Sequence, residues 1–331
     1  MTAMDVPASI PDHRTMLAVM RLASRAPSVH NTQPWRWVFD GETLHLHSDP
    51  DRLLSAADPH GRQLVISCGA MLHHVRTAFG ARGWHTDTVR VPEPLEPGHL
   101  AQVRFRPWPS PPSGLLARAA AIDLRRTDRL PMDEPPDWEA LLPRLRMLVS
   151  PHELDLDPLD ASTRFRLVAA SEQATALRWH DMLYQAEIGW WAGHSWMPEG
   201  VPADALVSDA EFVRVGVGRT FPAPPHAARR PGIEDHARLA VLSSPGDSLT
   251  EWLRAGEALS AVLLECTAAG LATCALTHIT ELSSARTLLS GLTPNRGKPQ
   301  IVIRISASPA YEQTVPTPRR PLTDIFTTRH R

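Results

Sequence analysis

The chain has 331 residues, 43% apolar and 21% charged, a globular composition that argues against a disordered, collagen-like or coiled-coil protein and leaves room for one large core or two. With 34 basic against 36 acidic residues the net charge is −2, so no basic field points to nucleic acid, whose binding depends on counterion release. Cys68, Cys266 and Cys274 are an odd number without a CxxC pair, which argues against a disulfide framework or a cysteine zinc site and suits a reducing compartment.

Helical spacing first appears at 15–26, where Leu17, Met20, Leu22 and Ala23 face one way. Strand candidates at 36–39 and 43–47 flank the Asp40-Gly41 turn signal. His45, His47 and Asp49 look like a metal-ligand run, but their spacing is that of strand alternation and no matching second cluster is visible, so no metal is expected. Leu64, Cys68, Met71, Leu72, Val75 and Phe79 form one stripe of a long helix predicted to be central. Its His73-His74 pair is expected to place one ring in the core and one in solvent. A strand at 100–106 leads into the proline-dense 107–112, a boundary signal.

Beyond that boundary the pattern predicts a helix near 115–124, a loop through 125–136, a helix near 137–148 and a helical run from 160 to about 191. The stretch 194–232 is rich in proline and glycine without a period, the composition of a functional lid or of a disordered loop. A strand at 237–242, a helix at 248–269 and a strand at 300–305 follow. The apolar stretch 258–279 carries Glu265 and His278 and is read as a buried helix plus strand, not a membrane span. The opening MTAMDVPASIPDH has no leader signature, so a cytoplasmic protein is expected.

The two long helices align without a gap when Gly69 is placed on Gly256. Leu72 then meets Leu259, Val75 meets Val262, Ala81 meets Ala268 and Gly83 meets Gly270. Each helix leads towards an alternating strand, AQVRFRP in one half and PQIVIRI in the other. The expectation is a tandem fusion of two copies of one α/β unit, residues 1–110 and 111–331.

Three strings carry candidate chemistry. In APSVHNTQPW, residues 26–35, two prolines fix the backbone while Ser28, Asn31 and Gln33 offer polar groups. That pattern suits either the edge of a planar heterocycle or a capped helix end with a proline turn. Arg125, Arg126, Thr127 and Arg129 suit a phosphate through bidentate bonds, or an exposed basic turn; Arg319 and Arg320 between Pro318 and Pro321 share both readings. No GxGxxG, GxxxxGK[ST], GxSxG or HExxH is present.

Together with GLATCALTHIT at 270–280, these strings resemble the flavin-dependent nitroreductase superfamily, most closely its acg-type branch. The resemblance implies an α+β nitroreductase-like fold and a bound FMN. Ordinary members are homodimers with FMN at the subunit interface, so a single chain carrying both sets of strings would mimic the dimer and keep one flavin site; further dimerisation stays open. It assigns Arg125, Arg126, Thr127 and Arg129, with Arg319 and Arg320, to the phosphate and ribityl chain. Pro27, Ser28 and Asn31 would approach the isoalloxazine from the other half, and Ala275, Leu276, Thr277 and His278 would run past its N5 and O4 edge. Thr277-His278 stands where better-known members often carry an acidic residue and a glycine.

The implied activity is hydride transfer from NAD(P)H through flavin N5 to a nitroaromatic or quinone. No side chain is required as catalyst, because the flavin carries the chemistry. The alternative is FMN storage under a closed lid with little turnover.

Overall fold

A computed structural model describes residues 10–193, 197–222, 229–307 and 316–329. The chain enters α1 (His13–Ala23) through Asp12, whose carboxylate accepts the Thr15 N–H at 2.6 Å. β1 (Trp35–Phe39) and β2 (Leu44–Ser48) are joined by a turn in which the Asp40 carboxylate accepts the Glu42 and Thr43 N–H groups. α2 (Arg62–Gly80), β3 (Trp84–Arg90), β4 (His99–Pro107) and α3 (Ser113–Ala121) follow. The second half runs through α4 (Trp138–Val149), β5 (Asp155–Leu159), α5 (Ala161–Arg178), α6 (Met182–Trp190), α7 (Asp209–Val215) and β6 (Arg238–Ser244). It closes with α8 (Leu249–Ala268), β7 (Leu271–Leu276), α9 (Ser283–Ser290), β8 (Lys298–Ala307), α10 (Leu322–Ile325) and β9 (Phe326–Thr328).

The strands form two sheets of α+β type, ordered β3-β4-β2-β1-β9 and β5-β6-β8-β7. Apart from β9, the second order reproduces the first strand for strand, with α8 in the place of α2 between the inner strand and the outer hairpin. β9 lies parallel to β1, pairing Trp37 with Phe326, so the end of the chain returns to the first sheet.

Both long helices are buried along nearly their whole length and cross at their aligned glycines. A Cβ on Gly69 would lie 2.0 Å from the Leu253 carbonyl oxygen, and one on Gly256 would lie 1.9 Å from that of Ile66. Each clash is with the residue three positions before the opposite glycine, the reciprocal contact that a two-fold relation produces. The second sheet is covered on both faces because its strands alternate. Ala240, Leu242, Ile301 and Ile303 pack on α4 and α8, while Leu239, Val241 and Val302 pack with Leu167 and Leu289.

Several expectations need correction. The run 160–191 is two helices, because Asp181 caps α6 by accepting the Tyr184 N–H at 3.0 Å. β3 and β5 escape sequence reading: β3 buries little besides Thr86, and β5 carries Pro158, which an edge strand tolerates. The expected lid contains α7, with a Ser208–Glu211 capping box; residues 194–196 and 223–228 of that stretch lie outside the described ones. His73 and His74 both face the interior, their Nδ1 atoms 2.7 and 2.8 Å from Ser260 Oγ on α8. Burial lowers both imidazoles, His74 to about 3.

The glycine crossing makes a sharp prediction. Gly256→Ala should lower the free energy of unfolding by about 3 kcal/mol, because backbone rather than a flexible side chain must yield. Gly189→Ala in α6, where a Cβ meets nothing within 4 Å, should be neutral or slightly stabilising. Urea unfolding of the two variants checks both.

Candidate cofactor site

The loop after α1 takes a strained path. His30, Asn31 and Gln33 have φ of 46°, 57° and 51°, left-handed values that non-glycine residues adopt only where the surroundings enforce them. Ser28 Oγ accepts the Gln33 N–H at 2.9 Å, and Ser67 Oγ on α2 accepts the Val29 N–H at 3.1 Å. The side chains then reach outward: Asn31 Nδ2 donates to the carbonyls of Gly200 and Pro318, both at 3.1 Å, and Gln33 Nε2 donates to that of Pro198 at 3.0 Å. The loop thus ties down both the segment after α6 and the C-terminal tail.

Beside it lies a cavity of about 950 Å³, including the space at its mouth, within the size range of ligand sites. Pro27, Ser28, Thr127, Arg129, Ala275, Leu276, Thr277 and His278 line it, so these sequence-predicted residues meet across the two halves. An adjoining cavity shares Pro27, Ser28, Thr127 and Arg129 and adds Asn31, Arg125 and Arg319. Arg126 and Arg320 line neither. Arg126 pairs with Asp128 at 3.7 Å. Arg320 donates to the Gln33 carbonyl at 3.1 Å and reaches the Asp49 carboxylate at 3.4 Å, fastening the tail to the loop.

The adjoining cavity is strongly cationic. Arg125 is 6% exposed, and its guanidinium makes no hydrogen bond or ion pair among the described residues. Burial, with the Arg25 guanidinium beside it, lowers it to about 10. Arg319 is lowered by burial and then by Arg125 and Arg25; backbone carbonyls of Ser24 and Arg25 hold its guanidinium at 2.9 and 3.0 Å. Arg25 itself donates to the Thr317 carbonyl at 3.2 Å. Among the described residues none of these three guanidiniums meets a carboxylate. Buried unpaired charge is costly, and a dianion offering several acceptor oxygens is the partner that relieves it.

The main cavity is apolar with a few open polar edges. His30 is buried with neither ring nitrogen hydrogen-bonded; burial, then Arg219 and Arg129, drives it neutral. His278 keeps Nε2 2.8 Å from Ser171 Oγ and leaves Nδ1 without a partner, its pKa pushed to about 3 by burial. Phe221 meets the His30 ring edge-on at 5.4 Å, and Arg219 is bound by Glu281 and Tyr184. Cys274 lines the wall, but burial raises its thiol, so it is a poor nucleophile. Arg25, His30, Arg219 and Glu281 were not picked out from the sequence. Arg25 and His30 border or interrupt the APSVHNTQPW string and could have been found there; nothing in the sequence marks the other two.

No family model matches the chain. The Mycobacterium tuberculosis protein named "Putative NAD(P)H nitroreductase acg" is 44% identical to it over 314 residues, covering 94% of this chain and 95% of that protein. The chain belongs to the acg family of nitroreductases. A second relative from that organism, named as a putative NAD(P)H nitroreductase, is 35% identical over 321 residues, covering 95% of this chain and 92% of that one; a third, named as an uncharacterised protein, is 45% identical over 314 residues, covering 93% and 91%. The crystal structure of "a putative nitroreductase from anabaena variabilis" superposes with a TM-score of 0.50 at 10% identity, covering 91% of this chain and 90% of that one, which establishes the shared fold. Among the described residues, no helix of the chain is long and apolar enough to cross a membrane.

Arg125→Met tests the electrostatic reading of the cavity. The ligand-free variant should gain roughly 1–4 kcal/mol in stability, since an unpaired buried charge is replaced by an apolar chain of similar length. It should also lose most of the thermal stabilisation that a phosphate monoester gives the parent. Melting curves with and without that ligand check both.

Proposed function

We propose that this chain is an FMN-dependent oxidoreductase of nitroreductase type, with one flavin site between its two halves. One observation carries the reading: the guanidiniums of Arg125 and Arg319 line the cavity adjoining the apolar one, with half-buried Arg25 beside them, and among the described residues none of the three meets a carboxylate. A terminal phosphate on a planar, apolar body has the complementary shape and charge. The residues present fit FMN, with Arg25, Arg125 and Arg319 at its phosphate and Thr127 and Arg129 along its ribityl chain. Pro27, Ser28 and Asn31 of the first half, and Ala275 to His278 of the second, would flank its ring. Arg126 and Arg320 would hold the surrounding loops rather than the phosphate.

When bound, FMN would take a hydride from NADH or NADPH and pass two electrons to a nitroaromatic or quinone. The chain's part is position and exclusion of water. His30 and His278, kept neutral by burial, offer ring nitrogens without a partner to a bound heterocycle and add no charge. Ile66, Ala70 and Leu259 supply an apolar floor from the crossing helices. The matching strand orders and reciprocal glycine contact support two fused copies of one unit, residues 1–110 and 111–331, in which one polypeptide replaces the usual pair. Three free buried thiols suit the cytoplasm.

A second reading has its own support. Val207, Phe212, Val215 and Phe221, from the proline- and glycine-rich segment, line the same cavity and cover it as a lid would, which favours storage of FMN with little turnover. Anaerobic mixing of the flavin-loaded protein with excess NADPH or NADH separates the two. Prompt bleaching of the visible flavin band is expected for the reductase; its absence with both donors leaves storage. Arg25→Ala, Arg125→Ala and Arg319→Ala should each weaken FMN retention by roughly 1.5–3 kcal/mol, about ten- to a hundredfold, and unchanged retention in all three would show that the phosphate lies elsewhere.

A further inference from the structure

A further cavity, of about 950 Å³ with the space at its mouth, lies beyond the wall of Arg219, Phe221 and His278 that it shares with the cofactor cavity. Its other walls come from the end of α5, the start of α6, the first residue of α7 and the segment 219–222. It takes nothing from the first half of the chain and none of the guanidiniums assigned to the phosphate, so its chemistry stands independently of the flavin reading.

The lining is aromatic and cationic. Trp179 lines it with 64% of its surface exposed, whereas tryptophan normally hides most of its ring, and Phe221 and buried Tyr184 line it further in. The Tyr184 ring is taken by two guanidiniums, Arg178 with its central carbon 4.7 Å from the ring centroid and Arg219 at 5.9 Å. The two arginines differ in the donors they have left. Arg219 is fully engaged, with Glu281 and the Tyr184 hydroxyl on Nη1 and Glu281 and Thr277 Oγ1 on Nη2. Arg178 donates from Nη1 to Asp181 Oδ2 at 2.8 Å, and its Nε has no partner. Nε and Nη2 form the edge that grips a carboxylate through two parallel bonds, and among the described residues nothing occupies that edge. Neither Asp181 nor Glu281 lines the cavity, so each ion pair turns its positive end inward. Asp209, exposed at the start of α7, is the one carboxylate in the lining among the described residues, and surrounding water weakens its field.

We propose that this cavity binds a planar aromatic carboxylate, its ring against Trp179 and Phe221 and its carboxylate on the open edge of Arg178, alongside FMN rather than in its place. The ring displaces water from the exposed indole, and the anion meets the unfilled donors. A neutral aromatic would leave those donors unmet, and an aliphatic acid would leave the indole wet.

The test titrates 2-naphthoate calorimetrically into the full chain as purified, and again with excess FMN present. One saturable equivalent per chain is expected in both titrations, and 2-naphthalenemethanol, the uncharged counterpart, should bind at least tenfold more weakly. Arg178→Gln should weaken naphthoate binding roughly ten- to a hundredfold. Trp179→Ala, at an exposed position, should weaken it roughly three- to tenfold and leave the melting temperature in place. No saturable uptake below about 1 mM, equal affinity for the alcohol, or unchanged affinity in Arg178→Gln overturns the site; unchanged affinity in Trp179→Ala overturns the stacking. Loss of naphthoate uptake on adding FMN would put the ligand in the cofactor cavity and overturn the proposal as well. A chain that takes up no FMN contradicts the flavin reading alone, and the first titration with the two variants still decides this one.

Discussion

The close crossing of α2 and α8 at Gly69 and Gly256 governs the rest of the molecule. A Cβ at either position would enter a backbone carbonyl of the other helix, so the distance between the two halves is set by backbone rather than by adaptable side chains. Apolar side chains such as Met71, Leu72, Leu253 and Leu264 pack around the crossing, and buried polar groups join them. Glu257 on α8, fully buried, is held by Arg76 of α2 at 2.7 Å and Arg90 of β3 at 2.5 Å, and Arg62 reaches the Thr280 and Gln300 carbonyls at 3.0 and 2.9 Å. Removal of both arginines would strand the buried Glu257 carboxylate, and these contacts bind the helices to each other.

That connection matters because the candidate site belongs to neither half alone. Its cationic end joins Arg25 of the first half to Arg125 of the second and Arg319 of the tail, and its apolar walls come from α2, β7 and the segment around α7. The tail is drawn there twice, by β9 pairing with β1 and by Asn31 and Gln33 seizing the carbonyl of Pro318 and the N–H of Arg320. Backbone strain at residues 30–33 is the cost of aiming these side chains outward while Pro27 and Ser28 face the cavity.

Legibility in the sequence followed the strength of local periodicity. α2 and α8 were readable as long apolar stripes, and their glycine alignment anticipated the residues at which they touch. β3 and β5 were not readable, because an edge strand with one buried threonine or an internal proline carries almost no alternating signal. α7 carried a signal that went unused, the Ser208 to Glu211 capping box. Within the site, the arginine strings marked the right neighbourhood but could not separate Arg319 from Arg320. In an extended tail adjacent side chains point to opposite sides, and only the fold shows that one turns to the guanidinium cluster and the other to Asp49.

The account turns on a single phosphorylated flavin held between the halves. Purifying the chain with its chromophore, releasing that chromophore and counting it against polypeptide tests this most directly. The account predicts one FMN per chain, with riboflavin, which lacks the phosphate, retained far more weakly on reconstitution. Two flavins per chain, no uptake of FMN, or equal retention of riboflavin would contradict it.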